Sequence, residues 1–283
     1  MSEALSLRGL IWRRFSRRRA AVASTVVFAL LAVACGLAPW IAPYPFDGID
    51  LDSVKQAPSR AHGMGTDDLG RDVLTRMLFG GRVSLLIGVL AATLGASLGT
   101  AIGAAAGYYG GFIDNALMRF TDVAYAIPTL PLLIILSSYS QAAVVGMVLV
   151  IGFLSWMSTA RVVRSEVLTI REMDYVEAAR SMGASDLRIL VRHVIPNALG
   201  SILVGATQGV GNAIMIESSL SFLGLGVAPP TPTWGNMLMD SQATMATKPW
   251  LTLFPGLAIL LVVLTVNVAG DALRDALDPG VTR

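Results

Sequence analysis

The sequence predicts an all-α, polytopic membrane protein with six transmembrane helices. Three observations carry that prediction. Of 283 residues, 54% are hydrophobic and only 14% are charged, where soluble domains carry roughly a quarter charged. Mean hydropathy is +0.65. Several apolar runs reach the roughly 20 residues needed to cross a bilayer. A large buried core in a soluble protein is the competing explanation, and apolar runs this long and this numerous disfavour it.

The six spans fall at Ala20–Ile41, Val83–Gly107, Arg119–Ser138, Ala142–Ala160, Leu199–Phe222 and Leu251–Ala269. Arg8, Arg13, Arg14, Arg17, Arg18 and Arg19 precede the first. An even number of spans puts both termini on one side, together with Arg119, Arg161, Arg164, Arg171, Arg180, Arg188, Arg192, Arg274 and Arg283. The opposite side holds Lys55, Arg60, Arg71, Arg76, Arg82 and Lys248. That bias, fifteen basic residues against six, predicts that both termini are cytoplasmic.

The first span follows basic residues, as a signal peptide would. Its apolar run is longer than a signal core, however, and Pro39, Pro43 and Pro45 follow without a small-x-small site, so a retained helix is expected. The single cysteine, Cys35, lies in this span and excludes an internal disulfide. The external segment 42–82 includes Leu69, Val73, Met77 and Phe79 among Arg71, Asp72 and Arg76, a pattern for a helix lying at the outer interface. Thr66 or Asp67 is placed to cap it. In the second span Gly95, Gly99, Gly103 and Gly107 recur every four residues and share one helix face, so another helix can approach closely. His62 and His193 fall on opposite sides of the membrane, and no metal site is expected.

A polar, helix-forming stretch interrupts the apolar pattern after the fourth span. Asp174 followed by Glu177 has capping-box spacing, Ala178 and Ala179 favour helix, and Gly183 ends it. Ser185 is placed to cap a second short helix, which Pro196 is expected to stop before the fifth span. Within that fifth span, Glu217 is an ionisable group in an apolar setting, and Asn212 lies nearby. Such residues face a bundle interior or a watery path. Glu217 is thus either a pore- or gate-lining carboxylate or a structural one satisfied by Ser218, Ser219 or another helix. Pro229, Pro230 and Pro232 favour extended backbone in the external segment that follows.

Glu177-Ala178-Ala179, three residues, Gly183, nine residues, then His193-Val194-Ile195-Pro196 resembles the EAA loop of ABC importer permeases, with His193 and Ile195 where that family usually has Ile and Leu. Gly65-Thr66-Asp67-Asp68-Leu69-Gly70-Arg71-Asp72, Leu220-Ser221-Phe222-Leu223-Gly224-Leu225-Gly226, the Pro229–Asn236 stretch and Gly270–Pro279 are similar to C-type subunits of oligopeptide, dipeptide and nickel importers. The resemblance implies a type I ABC importer permease fold. It implies that Glu177, Ala178, Ala179, Gly183, His193, Ile195 and Pro196 couple the chain to an ATPase, and that the loop around Trp234 and Asn236 docks a binding protein. It divides the chain into a basic cytoplasmic N-terminus (1–19), a first transmembrane helix (20–41), an external loop (42–82), a permease core (83–271) with a coupling loop at 161–198, and a cytoplasmic tail (272–283).

A phosphate-binding loop requires Gly-Lys followed by Ser or Thr. Lys55 follows Val54 and Lys248 follows Thr247, so the sequence contains none. ATP and Mg are therefore expected on partner subunits, with no cofactor in this chain. The expected partners are a B-type permease, two cytoplasmic ATP-binding subunits, an external substrate-binding protein and membrane lipid, with no nucleic acid. A peptide is the default solute. The rival reading, an ion-coupled secondary transporter, requires intramembrane acids and interrupted helices, for which Glu217 and Asp122 are the candidates.

Overall fold

The structure, a computed structural model, describes residues 13–139 and 143–277. Arg8, Ala142, Asp278, Pro279 and Arg283 lie outside the described residues. Helix α1 (Arg19–Gly36) is followed by a single turn at Ala38–Ile41. Then come α2 (Val73–Tyr109), α3 (Gly111–Ala126), α4 (Thr129–Tyr139), α5 (Val144–Ile170) and α6 (Asp174–Ser181). A turn at Asp186–Ile189 and a π-helical turn at Leu190–Val194 lead into α7 (Ile195–Phe222), followed by α8 (Trp234–Ser241) and α9 (Trp250–Leu277).

Five helices among the described residues are long and apolar enough to cross a membrane, and α3 with α4 makes a sixth only as a bent pair. The third expected span, Arg119–Ser138, is thus not one rod but two helices bent by 83°. Pro128 explains the break. Its ring excludes the helical conformation for the preceding residue, and Ile127 is extended at ψ 126°.

The expected interfacial helix does not exist as a separate element. Residues from Val73 on are the first turns of α2, capped by Asp72, whose carboxylate accepts the Thr75 N–H at 2.8 Å. Thr66 and Asp67 build the preceding turn instead. Asp67 accepts the backbone N–H groups of Leu69 and Arg71, each at 2.9 Å, and its other oxygen accepts from Arg71 Nε at 2.7 Å. Gly70, at φ +72°, lies so close to the Asp50 carbonyl that a Cβ has no room.

α2 and α5 run parallel along the glycine face, since Gly95, Gly99, Gly103 and Gly107 meet successively later residues of α5. A Cβ on Gly99 would meet the Trp156 carbonyl oxygen at 2.6 Å, and one on Gly107 the Arg164 carbonyl oxygen at 2.8 Å. The expected close seam is therefore present, and its partner is α5. Arg164 bonds Asp114 of α3 through Nη2 at 2.6 Å, tying the broken span to the same seam. α1 packs on α2 and α9 through Cys35, Leu85, Val262 and their neighbours.

Helix ends also shift. α5 continues ten residues past Ala160, so 161–170 is helix and not the start of a loop. α9 continues past Ala269 to Leu277, so the expected tail from 272 begins as helix. Pro196 does not stop the segment before it. It occupies the first turn of α7, and the π turn just ahead widens the backbone where the ring would otherwise meet the preceding carbonyls.

Candidate functional site

The polar segment between α5 and α7 is a small folded unit. α6 begins after Met173, whose thioether is too weak an acceptor for a cap, and no side-chain cap bond is made. Asp174 is already the first helical residue, one position late for a capping box. Asp174 and Glu177 therefore act on the helix dipole, as acids in the first turn. At the other end the expected Gly183 stop is present at φ +81°. Ala184 N–H reaches the Ala179 carbonyl at 3.1 Å and Gly183 N–H the Arg180 carbonyl at 3.0 Å, the paired bonds of a Schellman end. Ser185 occupies the next N-cap without a side-chain bond.

One face of this unit is buried. Val176, Ala179, Ile189, Leu190 and Val194 pack against Ala104 and Tyr108 of α2 and Val163 and Val167 of α5. Polar contacts reinforce the seat. Tyr108 Oη donates to Asp186 Oδ1 at 2.8 Å, and Arg171 Nη1 donates to the Gly107 carbonyl at 2.9 Å. The other face is open and apolar, with Met182 80%, Leu187 65% and Val191 56% exposed. Glu177 and Ala178 are exposed beside it, and Glu177 lines an open polar cleft of about 560 Å³ with Tyr109, Arg171 and Arg180. Of the remaining sequence candidates, Pro196 is exposed and His193 and Ile195 are half-buried. The His193 carbonyl accepts Asn197 Nδ2 at 2.5 Å. An apolar patch held up by a packed underside is a surface for another protein.

On the opposite side, the site candidates form an interior knot. Glu217 is fully buried. It accepts from Ser221 Oγ at 2.7 Å, Ser84 Oγ at 3.1 Å and Ser218 Oγ at 3.4 Å. Ser219, also considered from sequence, bonds the Met215 carbonyl instead. This geometry matches the structural carboxylate rather than a group facing a path. Asn212 differs, because its side chain is exposed on the same helix.

Trp234 and Asn236 are 1% and 6% exposed, so neither side chain offers a docking surface. Trp234 Nε1 donates to the Met77 carbonyl at 3.0 Å. Asn236 closes a capping box with Thr233, and its Nδ2 donates to the Thr231 carbonyl at 3.0 Å. Their types pointed outward by resemblance alone. Large aromatic burial and a reciprocal cap are what the structure uses them for.

Sequence reasoning missed Ser84 and Ser221, the bonding partners of Glu217. The i, i+4 spacing of Glu217 and Ser221 was the available signal for one of them. Ser84 lies 133 positions away, where no local pattern reaches. The apolar row Met182, Leu187 and Val191 also went unread, although its spacing across the Gly183 turn was visible.

Residues 99–283 match the family of binding-protein-dependent transport system inner membrane components, and residues 6–58 match the N-terminal transmembrane domain of oligopeptide transport permease C. The chain is 42% identical over 271 residues to the glutathione transport system permease protein GsiD of Escherichia coli O6:K15:H31, covering 95% of this chain and 89% of the relative. Identity and coverage are the same for the protein of that name from Shigella boydii serotype 4. Among solved structures, two inward-facing forms of the MetNI methionine ABC transporter superpose with TM-scores of 0.55 and 0.59 at 20% and 17% identity. They cover 70% and 72% of this chain and 94% and 96% of theirs, which shows the type I permease fold.

Proposed function

The chain belongs to the family of binding-protein-dependent transport system inner membrane components, and on that premise we propose that it carries peptide-like solutes such as glutathione inward, paired with a second, B-type permease. It is a multi-pass inner-membrane permease subunit of an ABC importer, and ATP hydrolysis belongs to separate subunits. Two such ATP-binding subunits, with ATP and Mg bound on them, sit beneath the segment Asp174–Val194. An external binding protein delivers the solute, and both termini lie in the cytoplasm with the basic residues that the charge asymmetry places there.

One observation carries the coupling role. A polar segment in an otherwise apolar chain is packed on α2 and α5 yet presents Met182, Leu187 and Val191 outward. A packed seat with an open apolar face transmits the motion of whatever grips it. Nucleotide-driven closure of the ATPases then moves Glu177 through Pro196, and α5 and α7 move with them. The solute class rests on the glutathione permease relatives and on the match to oligopeptide permease C.

The test is uptake of radiolabelled glutathione into proteoliposomes holding the chain with its partner permease, ATPases and binding protein. Accumulation that requires ATP and the binding protein is expected. Accumulation that continues without ATP and follows an ion gradient would overturn the reading. The geometry already disfavours ion coupling, because Glu217 is bonded by three serines and Asp122 by Arg161.

A further inference from the structure

Between Val123 and Ala160 the sequence has no charged residue. Asp122 on α3 and Arg161 on α5 bound that stretch, and the fold brings them together. Arg161 Nη2 donates to Asp122 Oδ1 at 2.9 Å, and the guanidinium carbon lies 4.4 Å from the centre of the Tyr125 ring. The pair is not buried. The side chains are 46% and 53% exposed, and among the described residues no second acceptor is bonded to the guanidinium.

On α5 a polar stripe runs through Arg161, with the exposed Val162 beside it. Ser158, Arg161, Ser165 and Thr169 are exposed, and their spacing of three and four puts them in one stripe. Further out on α5 the exposed residues are Val145, Leu149 and Phe153. The exposed surface of α5 therefore turns from apolar to polar between Phe153 and Arg161, at Ser158. Charged groups at such a level face water or protein, because lipid solvates them poorly. A salt bridge kept half open, with an aromatic ring under its cation, leaves donors for an incoming carboxylate and an acceptor for an incoming ammonium.

We propose that Arg161 and Asp122, with Tyr125, form a binding station at the inner mouth of the translocation path, taking the carboxylate and ammonium of a zwitterionic peptide-like solute. The proposal rests on the importer and solute class given above. The solute exchanges partners with the pair, its carboxylate on Arg161 and its ammonium on Asp122. Two opposite charges held side by side suit a zwitterion, whereas a purely anionic ligand is repelled by Asp122.

The test uses the complete transporter with Cys35→Ala as background, since Cys35 is the chain's one cysteine. Ser158→Cys and Ser165→Cys are exposed to a membrane-impermeant methanethiosulfonate from the cytoplasmic side of inside-out vesicles. S-methylglutathione, which has no free thiol, is the solute probe. Labelling is expected, and the probe should slow it. In uptake of the same radiolabelled probe, per assembled complex, Arg161→Gln and Asp122→Asn should raise KM about tenfold or more, the loss of one charge-assisted bond, with Arg161→Lys between. Thr93→Val on the outer face of α2 serves as the unaltered control.

Failure of the unaltered complex to take up the probe sinks the solute class, and this station with it. Uptake with unchanged KM in the variants overturns the station alone. Cysteines reached only by lipophilic reagents, or labelled without slowing by the probe, also overturn it, and the first of these points to a lipid headgroup on Arg161.

Discussion

Ser84 Oγ donates to Glu217 Oε2 at 3.1 Å while accepting the Trp234 N–H at 3.3 Å. One hydroxyl thus joins α2, α7 and the start of α8. Ser221 extends the link, donating to Glu217 Oε1 and accepting from Thr233 Oγ1 at 3.4 Å. α8 is packed tightly at the same point, since a Cβ on Gly235 would lie 2.7 Å from Ser218 Cα.

Glu217→Leu leaves Ser84 and Ser221 without their acceptor inside the bundle. Each such orphan costs about 1–3 kcal/mol. Thermal unfolding in detergent should therefore fall sharply for Glu217→Leu. Glu217→Gln keeps an acceptor oxygen and should lose less, with transport largely retained. A Glu217→Gln protein that assembles at wild-type stability but does not transport would return this residue to the gate.

The α2–α5 seam gives the second prediction. Gly99→Val places two methyl groups where even a Cβ meets the Trp156 carbonyl at 2.6 Å. Backbone cannot yield as a side-chain tip can, so the loss should reach at least ~2–3 kcal/mol. The yield of monodisperse protein in size-exclusion chromatography measures it. Gly205→Ala is the comparison, having nothing within 4 Å of its Cβ position, and should behave as wild type.

The membrane-spanning segments were largely legible, since apolar run length is a local property of the chain. The glycine face of α2 was legible for the same reason, although its partner was not. The break at Pro128 was readable in principle, but an apolar run on both sides of it concealed two helices as one span. The knot at Glu217 was out of reach, because Ser84 and Trp234 belong to distant segments. Trp234 and Asn236 show the converse. Resemblance marked them, and burial decides what they do.

Variants at Gly183 and Met182 separate folding from the proposed coupling. Gly183 sits at φ +81° with open space around its Cβ position, so Gly183→Ala incurs only the left-handed backbone penalty of about 1–2 kcal/mol. Met182→Asp leaves the turn intact and places a charge in the open apolar row. Both variants should still insert and purify. Met182→Asp should abolish co-purification of the ATP-binding subunit, and Gly183→Ala should weaken it. Equal recovery of that subunit with Met182→Asp would remove the row from the docking surface.

Asp240 lies near the end of α8, and its behaviour with pH is distinctive. Its carboxylate faces Arg76 at 3.8 Å and Arg71 at 3.9 Å, with Asp67 and Asp68 in the same cluster. Burial pushes its pKa above the ordinary carboxylate value, the two arginines pull it down, and the two aspartates push it up, with burial dominant. A carboxyl whose folded pKa is raised binds its proton more tightly in the folded state. Its contribution to stability is therefore fully present below the unfolded value and is lost as pH rises through the folded one. Asp240→Asn carries no such titration. The variant should match wild type in strong acid and melt at the same or a higher temperature near neutrality, giving a flatter dependence of Tm on pH across the mildly acidic range. A variant that melts lower only near neutrality would show that the long contacts to Arg71 and Arg76 outweigh the cost of burying the charge.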